Sequence, residues 1–293
     1  MFKKLEDKNS VNNYLYQEGL IPTYNGNCFL NCDNQLIVQN KIGDVKTIDE
    51  NVDRCLGYRI SYSWTTSPIF IKNDKMFILE AESYSRCEKK ELCSDIKFKD
   101  FVCDHSIFLG MTEKGKIIPI FRATNTAFEE FRDGWVGFAK KHKTPSILSS
   151  NIFAYRKEGL YIFRKNKAGV LKFKRVSPIS GIIEAVAGDY DWFDSICYAA
   201  REDELICFYG HKIQNRIKGK WSYLTDFSHC NLAIKDKKIY CLLNCGRVFC
   251  IENKHKWSKI YENGICETES GDKYCFSENL MSGYSDFLVK MRF

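Results

Sequence analysis

Short runs of aliphatic, aromatic and Cys residues recur along the chain in pairs, each pair joined by a polar turn, at a spacing of about forty residues. The first four pairs are 28–30 (Cys-Phe-Leu) with 36–38, 69–71 (Ile-Phe-Ile) with 76–79, 107–109 (Ile-Phe-Leu) with 117–118, and 152–155 (Ile-Phe-Ala-Tyr) with 160–163. Three more follow: 196–198 with 205–208, 232–234 with 239–242, and a weaker 265–266 with 274–276. The turns centre on Asn34, Asp74, Gly115, Gly159, Asp203, Lys237 and Gly271, at intervals of 40, 41, 44, 44, 34 and 34 residues. The runs are rich in Ile, Phe, Tyr, Val and Cys, which suit a pleated and largely buried surface, and helical apolar spacing is scarce. A lone hairpin is marginal in water, so evenly repeated hairpins must stack to share a core.

A forty-residue unit accommodates a four-stranded antiparallel blade, and radial packing of such blades leaves only short, protected edges. The pattern therefore predicts an all-β chain, a single β-propeller of seven blades spanning 1–293. A two-sheet sandwich with long loops is the competing architecture. Third strands are expected at 44–48, 171–176 and 247–251, and preceding strands at 59–64 and 182–187. Short helices are expected at 127–132 and 10–18. The last blade needs more strand than 265–276 supplies. Residues 287–291, within the C-terminal 286–293, are the candidate to complete it, or to pair with the N-terminal segment 1–24 and seal the ring.

Composition narrows the class. The chain has 293 residues, 44% hydrophobic and 14% aromatic, with only 5 Pro and no low-complexity tract, which favours one domain over two. The start, Met1-Phe-Lys-Lys-Leu-Glu-Asp-Lys, is too charged for a signal peptide, and no apolar run reaches the roughly 18 residues of a membrane span. Of 14 Cys, Cys197, Cys207, Cys241, Cys250 and Cys275 fall inside expected strands, where a free thiol behaves as a small hydrophobe. That placement indicates a reducing nuclear or cytoplasmic compartment.

One unit carries a family resemblance. Val102-Cys-Asp-His-Ser-Ile-Phe-Leu-Gly-Met-Thr-Glu-Lys-Gly-Lys-Ile117 resembles a repeat of the regulator of chromosome condensation family of seven-bladed propellers. Its strand, His-Ser step, second strand and Thr-Glu-x-Gly-Lys turn follow that family's order. Residues 59–71 and the Ala187-Gly188 step are fainter echoes. The family's paired glycines and its Trp-Gly step are missing from nearly every unit. The resemblance implies a propeller used to bind proteins, chromatin or a small GTPase, with His105 serving the repeat's internal hydrogen bonding.

Charge is unevenly placed. The chain is +7 overall, yet 140–175 holds eleven basic residues and one acid, Glu158. Arg156, Lys157, Arg164, Lys165, Lys167, Lys172, Lys174 and Arg175 are the candidate partner-binding cations, an electrostatic footprint for an acidic protein or a phosphate backbone. Interleaved Tyr155, Tyr161, Phe163 and Phe173 would supply stacking or face the core. The bland alternative is a solvated edge, because lysine also blunts exposed strands. Residues 184–204 hold seven acids against one base. Within them Asp189, Tyr190, Asp191, Trp192, Phe193 and Asp194 form a second candidate contact, since exposed aromatic-rich loops often anchor partners. A cover for the core is the other reading of that loop.

No cofactor or metal is expected. His229, Cys230, Cys241, Cys245 and Cys250 lack zinc-knuckle spacing, and nucleophile or phosphate-loop motifs are absent. The expected function is a non-catalytic scaffold or regulatory subunit that binds a protein partner. Guanine-nucleotide exchange on a small GTPase and direct nucleic-acid or chromatin binding are the alternatives.

Overall fold

The computed structural model describes residues 2–6, 21–23, 26–30, 33–40, 44–59, 66–83, 86–103, 107–122, 131, 133–140, 152–188, 196–227, 230–243, 246–252, 254–261 and 264–276. The described residues are all-β, with strands in seven separate antiparallel sheets taken in chain order. A two-sheet sandwich is thereby excluded. β1 (Phe2–Leu5) belongs to the last sheet. The first sheet runs β2 (Ile21–Thr23), β3 (Gly26–Leu30), β4 (Leu36–Asn40) and β5 (Val45–Asp49). The second is β6 (Arg54–Arg59), β7 (Thr66–Lys72), β8 (Lys75–Ser83) and β9 (Arg86–Leu92). The third has three described strands, β10 (Phe98–Cys103), β11 (Ile107–Thr112) and β12 (Ile117–Arg122).

The fourth sheet comprises β13 (Trp135–Phe138), β14 (Phe153–Arg156), β15 (Gly159–Lys165) and β16 (Leu171–Ser177). The fifth is β17 (Glu184–Gly188), β18 (Ile196–Ala200), β19 (Glu204–Tyr209) and β20 (Lys212–Lys218). The sixth holds β21 (Trp221–Phe227), β22 (Cys230–Lys235), β23 (Lys238–Leu242) and β24 (Val248–Glu252). The seventh contains β25 (Trp257–Ile260), β26 (Ile265–Thr268), β27 (Lys273–Phe276) and, as its fourth strand, β1.

Six of the seven apolar pairs are the central hairpin of a four-stranded sheet, and the third, β11–β12, ends the described strands of its own. These strands read as continuous apolar runs because both of their faces are buried. In β19, Phe208 packs towards the fourth sheet with Phe153, Ile162 and Cys197. Its neighbour Cys207 packs towards the sixth with Tyr198, Trp221 and Leu242. The other steps repeat the arrangement, from Cys28, Leu36 and Phe70 between sheets one and two to Leu232, Ile239 and Trp257 between six and seven. The core is thus a succession of inter-sheet layers. Cys197, Cys207, Cys241 and Cys275 are buried, whereas Cys250, also placed in an expected strand, is exposed on β24.

The turns hold these layers in register. The backbone carbonyl of a turn residue accepts an N–H from the opening of the next sheet: Asn34 from Val52 at 2.8 Å, Asp74 from Phe98 at 2.7 Å and Gly115 from Trp135 at 2.9 Å. Asp203 with Gly219 and Lys237 with Trp257 continue the series at 2.7 and 2.9 Å. At Gly115 (φ +74°) an added Cβ would stand 2.4 Å from the Trp135 carbonyl oxygen, so both the left-handed backbone and the close approach demand glycine.

The first strands of successive sheets lie against one another, β2 on β6, β6 on β10, β10 on β13, β17 on β21 and β21 on β25. Just beyond β13, Lys140 bridges Val186 in parallel, so the fourth and fifth sheets share one direction. β1 pairs with β27 from Phe2↔Phe276 to Leu5↔Lys273. The N-terminus thus supplies the strand that 265–276 lacked, and 286–293 lie outside the described residues. The strand expected at 59–64 begins earlier, at Arg54, and 60–65 are not described. The helices expected at 10–18 and 127–132 fall almost wholly outside the described residues.

Candidate partner-binding surface

All eight candidate cations sit on the fourth sheet, but they do different work. Arg156 ends β14 and turns inward, with its guanidinium 5.4 Å over the Trp135 ring. It donates to the Asp133 carbonyl at 2.5 Å and pairs with Glu158 at 3.0 Å. This clamp removes Arg156 from the set available to a partner. Arg175 donates to the Glu158 carbonyl at 2.5 Å, tying β16 to the β14–β15 turn while staying exposed. Lys157 is exposed in that turn, and Lys167 in the β15–β16 turn, where Asn166 Oδ1 accepts N–H bonds from Ala168 and Val170. Lys165 ends β15 opposite Leu171.

Register decides where the rest point. Directly paired residues of an antiparallel ladder share a face. Ile162 packs towards the fifth sheet and pairs with Lys174, and Arg164 pairs with Lys172 two residues on. Arg164, Lys172 and Lys174 therefore face the fifth sheet. There Ile206 and Phe208 pack towards the fourth sheet and pair with Arg216 and Ile213, and Glu204 pairs with Lys218. A bulge at Cys207/Phe208 brings Ile213 onto the same face as Arg216 and Lys218.

Arg164 of β15 and Lys172 and Lys174 of β16 are thus turned across the crevice between the two sheets, towards the face of β20 that carries Ile213, Arg216 and Lys218. Ile213 is 42% exposed. Among the described residues Glu204 lies within this frame, and Arg201 and Arg216 hold it at 2.5 and 2.9 Å. His211, in the β19–β20 turn, reports the field: burial, then the charges of Arg164 and Lys174, hold its imidazole below its usual range.

The stretch 211–220, His-Lys-Ile-Gln-Asn-Arg-Ile-Lys-Gly-Lys, was not among the sequence candidates. Its signal was present as a run of cations without an acid. The interleaved aromatics are committed elsewhere. Trp135 stacks with Phe173 at 4.6 Å and Tyr161 at 5.0 Å, and Phe163 with Phe173 at 4.9 Å. The Tyr155 hydroxyl donates to the Ile183 carbonyl at 3.2 Å, and burial pushes its pKa up to about 12. None of these rings is presented as a stacking platform.

Residues 189–194 lie outside the described residues. The chain leaves β17 at Gly188 and re-enters at Ile196, a directly paired position. Strand alternation puts that end of the sheet on the side of the β19–β20 turn. Among the described residues, the acids of 184–204 do not form one patch. Glu184 belongs to the first strand, Glu204 is held by arginines, and Glu202 and Asp203 occupy the opposite turn.

A second charged region lies between the first strands, around a cavity of about 250 Å³ lined by Asp53, Arg54, Lys99, Asp100, Lys140 and Glu184. Arg54 pairs with Asp100, whose other oxygen accepts the Phe138 N–H at 3.0 Å. Lys140 pairs with Glu184, whose other oxygen accepts the Leu224 N–H at 3.1 Å. The same clasp, a cation, a carboxylate and a backbone N–H from three successive sheets, occurs twice. Lys99 donates to the Trp135 carbonyl at 3.0 Å, and burial lowers its pKa. Among the described residues no group of three His, Cys, Asp or Glu is placed to hold a metal ion, and no helix is long and apolar enough to cross a membrane.

Neither a family model nor a curated protein sequence matches the chain, so the chromosome-condensation resemblance rests on its residues alone. Solved structures do resemble it. A catalytically inactive virginiamycin B lyase from Staphylococcus aureus with quinupristin aligns at TM-score 0.48 and 12% identity, over 94% of this chain and 99% of that one. BBS1N in complex with ARL6DN aligns at TM-score 0.49 and 12% identity, over 86% and 87%. PorZ, a surface component of the type-IX secretion system of Porphyromonas gingivalis, aligns at TM-score 0.50 and 11% identity, over 87% of this chain and 35% of that one. At such identities the likeness is one of fold alone.

Proposed function

We propose that the seven sheets are the blades of a closed propeller sealed by β1, and that the molecule is a non-catalytic scaffold for a protein partner in a nuclear or cytoplasmic complex. Closure is supported by first strands that lie against one another from β2 to β13 and from β17 to β25, by the Lys140–Val186 bridge that joins the two runs, and by the first strand of the chain lying in the seventh sheet. The partner contacts the outer surface of the fourth and fifth blades. One observation carries this reading: register turns Arg164, Lys172 and Lys174 of the fourth sheet towards a face of the fifth that carries Arg216 and Lys218. Such a concentration of positive charge favours an acidic partner. Residues 189–194, which join β17 to β18 in the sequence, are a candidate second contact.

Affinity capture from the native source compares the parent chain with Lys165→Glu, Lys167→Glu, Lys172→Glu and Lys174→Glu combined. Lys90→Glu on β9 is the control. Loss of the same partner from the fourfold variant alone is expected, and equal recovery from both would contradict the proposal. Nucleotide release across a panel of small GTPases separates the exchange-factor reading, which requires acceleration.

A further inference from the structure

We infer that the cavity between the first strands of the second to fifth sheets binds a small zwitterion, an α-amino acid with an aliphatic side chain. The site is separate from the basic surface of the fourth and fifth sheets and does not depend on it. Four successive sheets wall the cavity, and its volume of about 250 Å³ lies just under the roughly 300 Å³ at which ligand pockets begin. That room suits a small metabolite rather than a large cofactor or a folded segment.

The lining holds three cations, Arg54, Lys99 and Lys140, and three carboxylates, Asp53, Asp100 and Glu184. Two ion pairs within the chain engage four of these six, Arg54 with Asp100 and Lys140 with Glu184. Asp53 and Lys99 are the other two, and both are exposed. The Asp53 backbone N–H is bonded to the Ile71 carbonyl at 2.9 Å, which fixes the residue at the cavity wall. An ammonium carries three donors, and the Trp135 carbonyl takes one of those of Lys99 at 3.0 Å. Burial lowers the Lys99 pKa, and no carboxylate offsets that shift.

The ligand class follows from this balance. A lone anion would meet three carboxylates, and a lone cation would meet three cations. An apolar molecule would strip water from charged groups without replacing it. A zwitterion avoids each of these costs. Its carboxylate takes Lys99 and its ammonium takes Asp53, in charge-assisted hydrogen bonds at two points. The lining also has an apolar part, Ile71, Val136 and Phe138, of which Val136 on β13 is 40% exposed. An aliphatic side chain on the ligand covers it.

The test is isothermal titration calorimetry of the full chain with glycine, L-alanine, L-valine and L-leucine. Isobutyrate and isobutylamine serve as single-charge analogues. Saturable binding of at least one of the three aliphatic amino acids is expected, with Kd below about 1 mM, and glycine should bind more weakly. Both analogues should lose at least about tenfold, because each leaves one lining charge unanswered. Asp53→Asn and Lys99→Gln should each cost at least about tenfold in affinity. Val136→Trp, which fills space and removes no charge, should abolish binding, and Lys90→Glu on β9 should leave it unchanged. Urea unfolding of each variant separates a loss of binding from a loss of fold.

No binding by any of the amino acids would overturn the inference. An analogue that binds as tightly as the amino acid would do the same, by showing that one charge suffices. Binding unmoved by all three substitutions would place the ligand elsewhere and equally overturn it. Partner capture by the fourfold lysine variant reads a different surface, so the two proposals fail separately.

Discussion

Between the first strands of the sheets, opposite charges meet at successive steps. Arg54 reaches Asp100, Lys140 reaches Glu184, and each carboxylate also takes a backbone N–H from the sheet beyond. Between the last strands of the fourth and fifth sheets the arrangement is reversed: Arg164 is registered against Lys172, and Lys174 looks across at a strand carrying Arg216 and Lys218. The same fold places charge in both regions, so geometry alone does not set the outcome. Where sheets converge, water is scarce and a lone charge is costly, so Arg54 and Lys140 are each matched to a carboxylate and Lys99 is held by a backbone carbonyl. Where they diverge, solvent tolerates a concentration of one sign of charge. The inner region holds the structure together. The outer one is the surface proposed for contact.

Breaking an inner clasp should have the largest effect. Asp100→Ala strands the largely buried Arg54 and orphans the Phe138 N–H, with an expected loss of about 3 kcal/mol in urea denaturation. Glu184→Ala should follow at about 2 kcal/mol, since Lys140 is more exposed and can reach water. A result below about 0.5 kcal/mol for both would mean that the inner charges are as dispensable as surface pairs.

A buried carboxylate between the first two sheets sharpens the contrast through pH. Burial alone would raise the pKa of Asp49. Hydrogen bonds from Lys72 and Lys89, the latter at 2.7 Å, outweigh it and hold the carboxyl below its usual range. A depressed carboxylate contributes fully above the unfolded value of about 3.9 and loses that contribution as pH falls through the folded one. Asp49→Asn should therefore flatten the acid limb of the stability curve below about pH 4 relative to the parent. An unchanged limb would show the two lysines to be bystanders.

The smallest effect belongs to the outer crevice. Arg164→Gln with Lys174→Gln should leave stability unchanged or raise it by a few tenths of a kcal/mol, because it removes repulsion without opening the core. A loss above about 1 kcal/mol would move these residues into the structural class and weaken the case for a partner.

Much of this architecture could be seen in the chain before folding. Residues buried on both faces leave uninterrupted apolar runs, so every central hairpin was visible, as were the turns at Asn34, Asp74, Gly115 and Lys237 that need left-handed backbone. First strands were harder to place. β6 mixes Arg, Gly and Tyr with apolar positions, β13 is only the four residues Trp-Val-Gly-Phe, and the register of both depends on partners farther along the chain. The clasps were invisible for the same reason, since Lys140 and Glu184 read locally as members of opposite charge runs. β20 escaped notice because a strand exposed on both faces has no apolar alternation, although its acid-free run of cations was a usable sign. Arg156 looked like its neighbours until Trp135 was placed beneath it.

The convergence of positive charge on the outer crevice is tested most directly by an NMR titration of His211. Burial and the fields of Arg164 and Lys174 should hold its pKa below about 6.5. With that sign, stability is retained above the unfolded value and declines as pH falls through the folded one. Arg164→Gln with Lys174→Gln should move the midpoint part of the way back. A midpoint at or above about 6.5, unmoved by the double substitution, would contradict the account.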